Sequence, residues 1–177
     1  MLQKGAEVAG ISRSPELDPV FLPYRWHPAP SFEFYQYDLN HHLDGIMKVV
    51  EKFKPAYVVN FAAQGMVAES WKHPEHWFQT NVVANVRFHD RLRLCGFLNK
   101  YVQVSTPEVY GHCEGLVKES AVYNPSTPYA VSKAAIDMNL MCFHKAYGFP
   151  VVFTRAANVY GPGQQLYRII PRAIISF

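Results

Sequence analysis

Tyr129 and Lys133 stand four residues apart in P-S-T-P-Y-A-V-S-K-A-A (residues 125–135), at the start of what reads as a long helix. That spacing projects a phenol and an ammonium from one helical face toward one point. A free tyrosine titrates near pH ~10 and is a poor base at neutrality, but a neighbouring positive charge favours the phenolate and brings it toward the working range. Lys133 can supply that charge. Upstream, the run Tyr101 to Val104 ends in Ser105 and Thr106, the way a buried parallel strand delivers hydroxyls to the carboxyl edge of an open sheet. A strand-end hydroxyl and the helical pair together would grip the oxygen of an alcohol or ketone at three points. Alone, a Tyr/Lys pair at this spacing is common on solvated helix faces, and the strand-end hydroxyls lift this one above that background.

Such residues need a sheet and helices to hold them, and the chain supplies both in alternation. Met1 to Gly5 reads as the tail of a helix, and Ala6 to Ile11 as a strand. If that strand is the second of a dinucleotide-binding unit, Ser12 and Arg13 fall where the adenosine ribose is read. An acid there would suit the 2′-hydroxyl of NAD; a serine and an arginine suit a 2′-phosphate and lean toward NADP, the alternative being a solvated arginine at a strand–loop junction. The proline-rich stretch from Pro15 to Pro30 reads as an ordered surface loop. Glu33 to Tyr37 alternates as a strand, His41 to Lys54 is an amphipathic helix, and Tyr57 to Phe61 is a buried strand. After it, Ala62 and Ala63 are small enough for a backbone to approach a ligand closely. Pro74 to Leu94 reads as one long helix with more than one apolar stripe, the second suited either to a partner or to a covering loop. The Tyr129 helix closes at Gly148, a strand runs over Val151 to Thr154, and Arg168 to Phe177 begins a further helix. Strand and helix in alternation with short turns give an α/β fold with a doubly wound, Rossmann-like parallel sheet.

Ser105-Thr106, Tyr129-x-x-x-Lys133 and R-A-A-N-V-Y-G-P-G (residues 155–163) together resemble the extended short-chain dehydrogenase/reductase family, in its nucleotide-sugar epimerase/dehydratase branch and nearest to dTDP-glucose 4,6-dehydratase-like proteins. The resemblance implies an enzyme that binds NAD or NADP and acts on a nucleotide sugar through a transient 4-keto sugar. Tyr129 would take the hydroxyl proton, Lys133 would lower its pKa and hold the ribose, and Ser105 or Thr106 would bridge the same oxygen. It lays Asp38 and Leu39 against the adenine, and the Phe61, Ala62, Ala63 and Gln64 segment near the cofactor ribose and phosphates. Thr80, with Asn81, would line the inner end of the cleft, and Asn158 would lie beside the nicotinamide. Gly65 stands where relatives often carry a polar residue. Dehydratases of the branch use a Thr-Asp-Glu triplet, whereas this chain has Thr106-Pro107-Glu108: the candidate base Glu108 remains, and Pro107 cannot donate a proton unless a group such as His112 stands in. Relatives pair the helices 74–94 and 129–147 into a homodimer.

No G-x-G-x-x-G or G-x-x-G-x-x-G occurs, so the chain reads as a fragment. It would comprise one partial nucleotide-binding domain over 1–177 without its first strand and glycine-rich turn, with 164–177 opening a truncated substrate lobe, and is expected to be catalytically silent alone. A net charge of +3 with scattered basic residues argues against nucleic acid. Three cysteines without a C-x-x-C pair suit a reducing compartment, the cytoplasm. No stretch is apolar for the length a membrane span needs, and no metal site is expected: His73 and His76 flank a helix start with no third ligand. Two other readings stay open, a non-catalytic dimerising or binding protein and a reductase of a non-sugar carbonyl.

Overall fold

In chain order the elements are β1 (Val8–Ser12), β2 (Phe32–Gln36), α1 (Leu43–Phe53), β3 (Tyr57–Asn60), α2 (Pro74–Trp77), α3 (Asn85–Leu92), β4 (Lys100–Ser105), α4 (Pro128–Tyr147), β5 (Val151–Arg155) and α5 (Ile169–Ser176). They are taken from a computed structural model, which describes residues 1–26, 31–157 and 159–177. The length alone predicts one domain; the structure divides into two compact units, Met1–Tyr37 with Asn158–Phe177, and Asp38–Ala157. Each holds a parallel sheet flanked by helical segments, the α/β architecture that the alternation predicts.

In the smaller unit β1 and β2 pair in parallel, from Val8 opposite Phe32 to Ser12 opposite Gln36. Gly10 makes room there for the Phe32 ring, which a Cβ would meet at 2.8 Å. Two short 3-10 turns, Pro19–Phe21 and Pro23–Arg25, follow β1, and Arg25 pairs with Glu16 at 2.8 Å. The expected C-terminal helix forms as α5, with no buried residue.

The larger unit carries the sheet β3-β4-β5, parallel throughout. Its register sorts side chains by face. Asn60, Tyr101, Gln103 and Ser105 share one face and are buried, whereas Tyr57, Val59 and Val152 share the other and are exposed. This corrects the expectation of a fully buried strand over Tyr57 to Phe61. β3 ends at Asn60, forms the edge of this sheet, and has Phe61 74% exposed beyond it. Polar residues occupy the covered face because helices α3 and α4 meet them with polar groups. Helix α1 follows its amphipathic pattern and buries Ile46, Met47, Val49 and Val50.

The stretch predicted as one helix over Pro74 to Leu94 is continuous but not uniform. Between α2 and α3, Phe78–Ala84 winds as a π-helix, a form that concentrates at functional sites. Its wider turn leaves Asn81 and Asn85 both facing inward, each 1% exposed. Helix α4 is held at both ends. Thr127 accepts from Ala130 N at 3.1 Å, Pro128 occupies the first helical position, and Gly148 closes the last turn at φ 68°. Its buried residues include Ser132, Lys133 and Asp137 alongside Ala130, Ala134, Ile136 and Leu140, so the covered face of this helix carries two charges into the unit.

Candidate active site

The carboxyl end of β4 turns directly into a 3-10 helix, Pro107–Tyr110. Thr106 caps it by accepting from Glu108 N at 3.2 Å, and Pro107 takes the first position, where a missing N–H costs nothing. Thr106 is thereby fixed at the sheet edge. From the other side, Tyr129 N donates to Ser70 Oγ at 3.2 Å, and Ser70 is fully buried. Strand end and helix start set Thr106 close enough to Tyr129 for its hydroxyl to pull down the titration of the phenol. One turn along α4, Lys133 is 3% exposed and donates from Nζ to Val104 O at 2.7 Å. Glu108 is exposed, with its charge acting on the phenol.

Ser105 and Thr106, adjacent in sequence, turn to different partners. Ser105 Oγ donates to Asp137 Oδ2 at 2.7 Å, and the same oxygen accepts from Arg155 Nη1 at 2.7 Å. Of the two hydroxyls, that of Thr106 acts on the Tyr129 phenol. The electrostatics also depart from expectation. Burial pushes the Tyr129 phenol above its ordinary value, Glu108 and then Asp137 add to this, and only the Thr106 hydrogen bond pulls it down. Lys133, expected to lower it, is committed to Val104 O and is itself held below the usual lysine range by burial, with Asp137 working against that and Arg155 with it.

The residues predicted for a dinucleotide fall into separate places. Asn40 Nδ2 donates to Asp38 Oδ1 (3.1 Å) and to Thr80 Oγ1 (3.3 Å), joining two of them; Leu39 lies between Asp38 and Asn40. Phe61, Ala62 and Ala63 are exposed beyond β3, and Gln64 is partly covered. Asn81 clasps the Gln64 backbone at both ends, accepting from its N–H at 2.7 Å and donating to its carbonyl at 3.1 Å, and also donates to Ser132 Oγ at 2.9 Å. A second set stiffens the same turn: Asn60 accepts from Ala62 N at 3.0 Å and donates to Asn85 at 2.6 Å. Ser12 and Arg13 are exposed at the end of β1 in the smaller unit. Asn158 lies outside the described residues. Among the described residues, no three His, Cys, Asp or Glu side chains stand close enough to hold a metal ion.

Sequence reasoning missed Asp137, Ser70 and the Asn60–Asn85 pair, and named Arg155 only as the start of a motif. Asp137 had a signal: positions 129, 133 and 137 repeat at four-residue intervals, so a charge sits on the buried stripe one turn beyond Lys133.

Among known proteins, the dTDP-glucose 4,6-dehydratase of Xanthomonas campestris is 34% identical over 139 residues, covering 73% of this chain and 40% of that enzyme. A trifunctional UDP-glucose 4,6-dehydratase/3,5-epimerase/reductase of Arabidopsis thaliana is 30% identical over 167 residues, 90% of this chain and 23% of that protein. Of solved structures, DesIV, a dTDP-glucose 4,6-dehydratase from Streptomyces venezuelae with NAD bound, matches with a TM-score of 0.73 at 30% identity over 83% of this chain and 45% of its own. The UDP-glucose 4-epimerase of Thermus thermophilus in complex with NAD matches with a TM-score of 0.80 at 29% identity, over 98% of this chain and 54% of its own. The chain thus spans roughly half or less of the length of each relative. A family model described as GDP-mannose 4,6 dehydratase matches residues 1–177. With all of residues 1–177 matched, the chain belongs to the GDP-mannose 4,6-dehydratase family, within the nucleotide-sugar epimerase/dehydratase branch of the extended short-chain dehydrogenases/reductases.

Proposed function

We propose that this chain carries the proton-transfer residues of an NAD(P)-dependent nucleotide-sugar epimerase or dehydratase that works through a 4-keto sugar. The observation that carries the proposal is the convergence at the end of β4: Thr106 is fixed there as a cap, Tyr129 opens α4 beside it with its N–H on Ser70, and Lys133 is buried one turn along with Nζ on Val104 O of the same strand. The donor set suits parts of a dinucleotide: the Asp38 carboxylate and Thr80 hydroxyl for the adenosine side, the exposed Ala62 and Ala63 for close approach, and Lys133 with Tyr129 for the ribose and nicotinamide side. Ser12 and Arg13, with no acid beside them, favour a 2′-phosphate, while the solved relatives were described with NAD.

When bound, the nicotinamide supplies a hydride acceptor. Tyr129 takes the proton of the sugar hydroxyl as that carbon is oxidised, and Thr106 holds the phenol oxygen in line. Lys133, with N–H groups beyond the one given to Val104, stabilises the phenolate charge. Glu108, exposed on the Tyr129 side, is the candidate base for the neighbouring carbon. Epimerisation is favoured over dehydration, because position 107 is a proline seated in the first turn of a 3-10 helix and holds no acid for a leaving hydroxyl. The same proposal makes the protein cytoplasmic and homodimeric. Its free cysteines Cys95, Cys113 and Cys142 support the first, and the exposed Val131 and Met138 on α4 support the second.

The test is calorimetry with NAD and NADP, then turnover of dTDP-, UDP- and GDP-linked hexoses. Both are run on the chain alone and on the chain exchanged for the matching segment of the Xanthomonas dehydratase. We expect the chimera to bind cofactor and interconvert a nucleotide sugar, and the 177 residues alone, which contain no glycine-rich phosphate turn, to be silent. A folded chimera that binds cofactor yet oxidises no nucleotide sugar contradicts the proposal.

A further inference from the structure

Behind Tyr129 lies a group of charges that proton transfer to the sugar does not use. Asp137 is fully buried on α4 and receives Ser105 Oγ and Arg155 Nη1 on the same oxygen, each at 2.7 Å. Its other oxygen, Oδ1, is buried with no hydrogen-bond partner among the described residues. Two donors converging on one oxygen fit a carboxylate. Arg155 is itself pinned, donating Nε to Tyr110 OH at 3.2 Å and Nη2 to Tyr123 OH at 2.6 Å. Lys133, one turn before Asp137, is buried with a neutral carbonyl as its hydrogen-bond partner. A buried ammonium in that position tends to shed its proton unless an anion stands near. Among the described residues, the charges that act on it are Asp137 on its own helix and Arg155 on β5; Tyr110 and Tyr123 meet Arg155. Of the two carboxylates, Asp137 acts on both Lys133 and Tyr129, while Glu108 acts on Tyr129.

We propose that Asp137 is a positioning residue of the candidate site: clamped by Ser105 and Arg155, its buried carboxylate is the counter-charge that keeps Lys133 an ammonium beside Tyr129. This rests on the reading of Tyr129 and Lys133 given above. Arg155 plays a double part, holding the carboxylate in place and competing with Lys133 for its field. The two neighbours of Lys133, one anionic and one cationic, are therefore expected to act on it with opposite sign.

The test is trace acetylation with acetic anhydride across a pH series, with peptide mass spectrometry giving the titration midpoint of Lys133 and exposed Lys72 as internal standard. It is run on the chain, on Asp137→Asn and on Arg155→Gln, each checked for fold by circular dichroism. Asp137→Asn should lower the Lys133 midpoint by about one pH unit or more, a tenfold loss of ammonium, and Arg155→Gln should raise it, with Lys72 unmoved. An unchanged or raised midpoint in Asp137→Asn overturns the proposal, as does a shift of the same sign in both variants. If Asp137→Asn does not fold, Arg155→Gln decides alone: no rise, no counter-charge. Should both shifts appear while the Tyr129→Phe chimera keeps full turnover, the catalytic reading fails and the counter-charge stands.

Discussion

At the residue scale, buried polar groups on the covered face of the sheet decide how the larger unit responds to pH. His89 on α3 is fully buried, its Nε2 2.6 Å from Tyr101 OH, and Tyr101 OH lies 3.3 Å from Gln103 Oε1. The arrangement that satisfies most groups has His89 Nε2–H donating to Tyr101 and Tyr101 donating to Gln103, which leaves Nδ1 a bare acceptor; Nδ1 has no partner among the described residues. Burial holds the His89 pKa at about 3, against an ordinary 6.5. Between those values the unfolded chain binds a proton that the folded chain does not, so stability rises with pH and is lost as pH falls from about 6.5 toward 3, at roughly 1.4 kcal/mol per unit. Urea midpoints from pH 7 to pH 5 should show that slope, and His89→Gln, which keeps a donor for Tyr101 but cannot titrate there, should flatten it. An equal slope in the variant would place the acid sensitivity elsewhere. None of this was legible in the sequence, where His89 and Tyr101 are ordinary residues of a helix and a strand. Their pairing exists only once β4 lies under α3. Tyr129 and Lys133 were legible because their relation is local, four residues on one helix. The sense of the phenol's shift was not, since it depends on burial and on carboxylates brought in by other elements.

At the scale of elements, α4 is placed by its caps: the closing Gly148 was read in the sequence, while Thr127 and Pro128 before it emerge from the structure. The tertiary cap could not be read in the sequence, because Ser70 reaches Tyr129 N from 59 residues away in the chain. Thr127→Ala should cost about 1 kcal/mol of stability by loss of the Ala130 N–H partner. Ser70→Ala should cost a similar amount, since it leaves the Tyr129 N–H, in its partly buried position, without that acceptor. Chemical denaturation measures both, and the account of α4 is wrong if the two together change stability by less than about 0.5 kcal/mol. The helix over Pro74 to Leu94 was legible as helical, but its π-helical segment was not. Hydrophobic spacing reports which residues face inward, whereas the contacts of Asn81 with Gln64 and of Asn85 with Asn60 come from segments distant in the chain. The β3 strand was read as buried on its Y-V-V-N-F run, because composition cannot distinguish a strand covered on two faces from one covered on a single face.

At the scale of the whole molecule, the parallel architecture followed from alternation alone, while the division into two units did not. Exposed apolar side chains Phe78 and Val83 on the π-helical segment and Val131 and Met138 on α4 match the two helices expected to meet a second copy of the chain, and solvent-facing groups of this kind mark interaction surfaces when they are contiguous. Light scattering should give a dimer for the chain and a monomer for the Val131→Asp, Met138→Asp double variant with its fold retained; a monomeric parent contradicts the interface. The proposed role of Tyr129, taking the proton as the sugar carbon is oxidised, is checked by single-turnover reduction of the nicotinamide, followed by fluorescence in the chimera with a nucleotide sugar carrying protium or deuterium at C4. Deuterium should slow the rate, and Tyr129→Phe should lose roughly 10²–10⁴-fold with cofactor affinity kept; reduction at the parent rate in Tyr129→Phe would overturn that role.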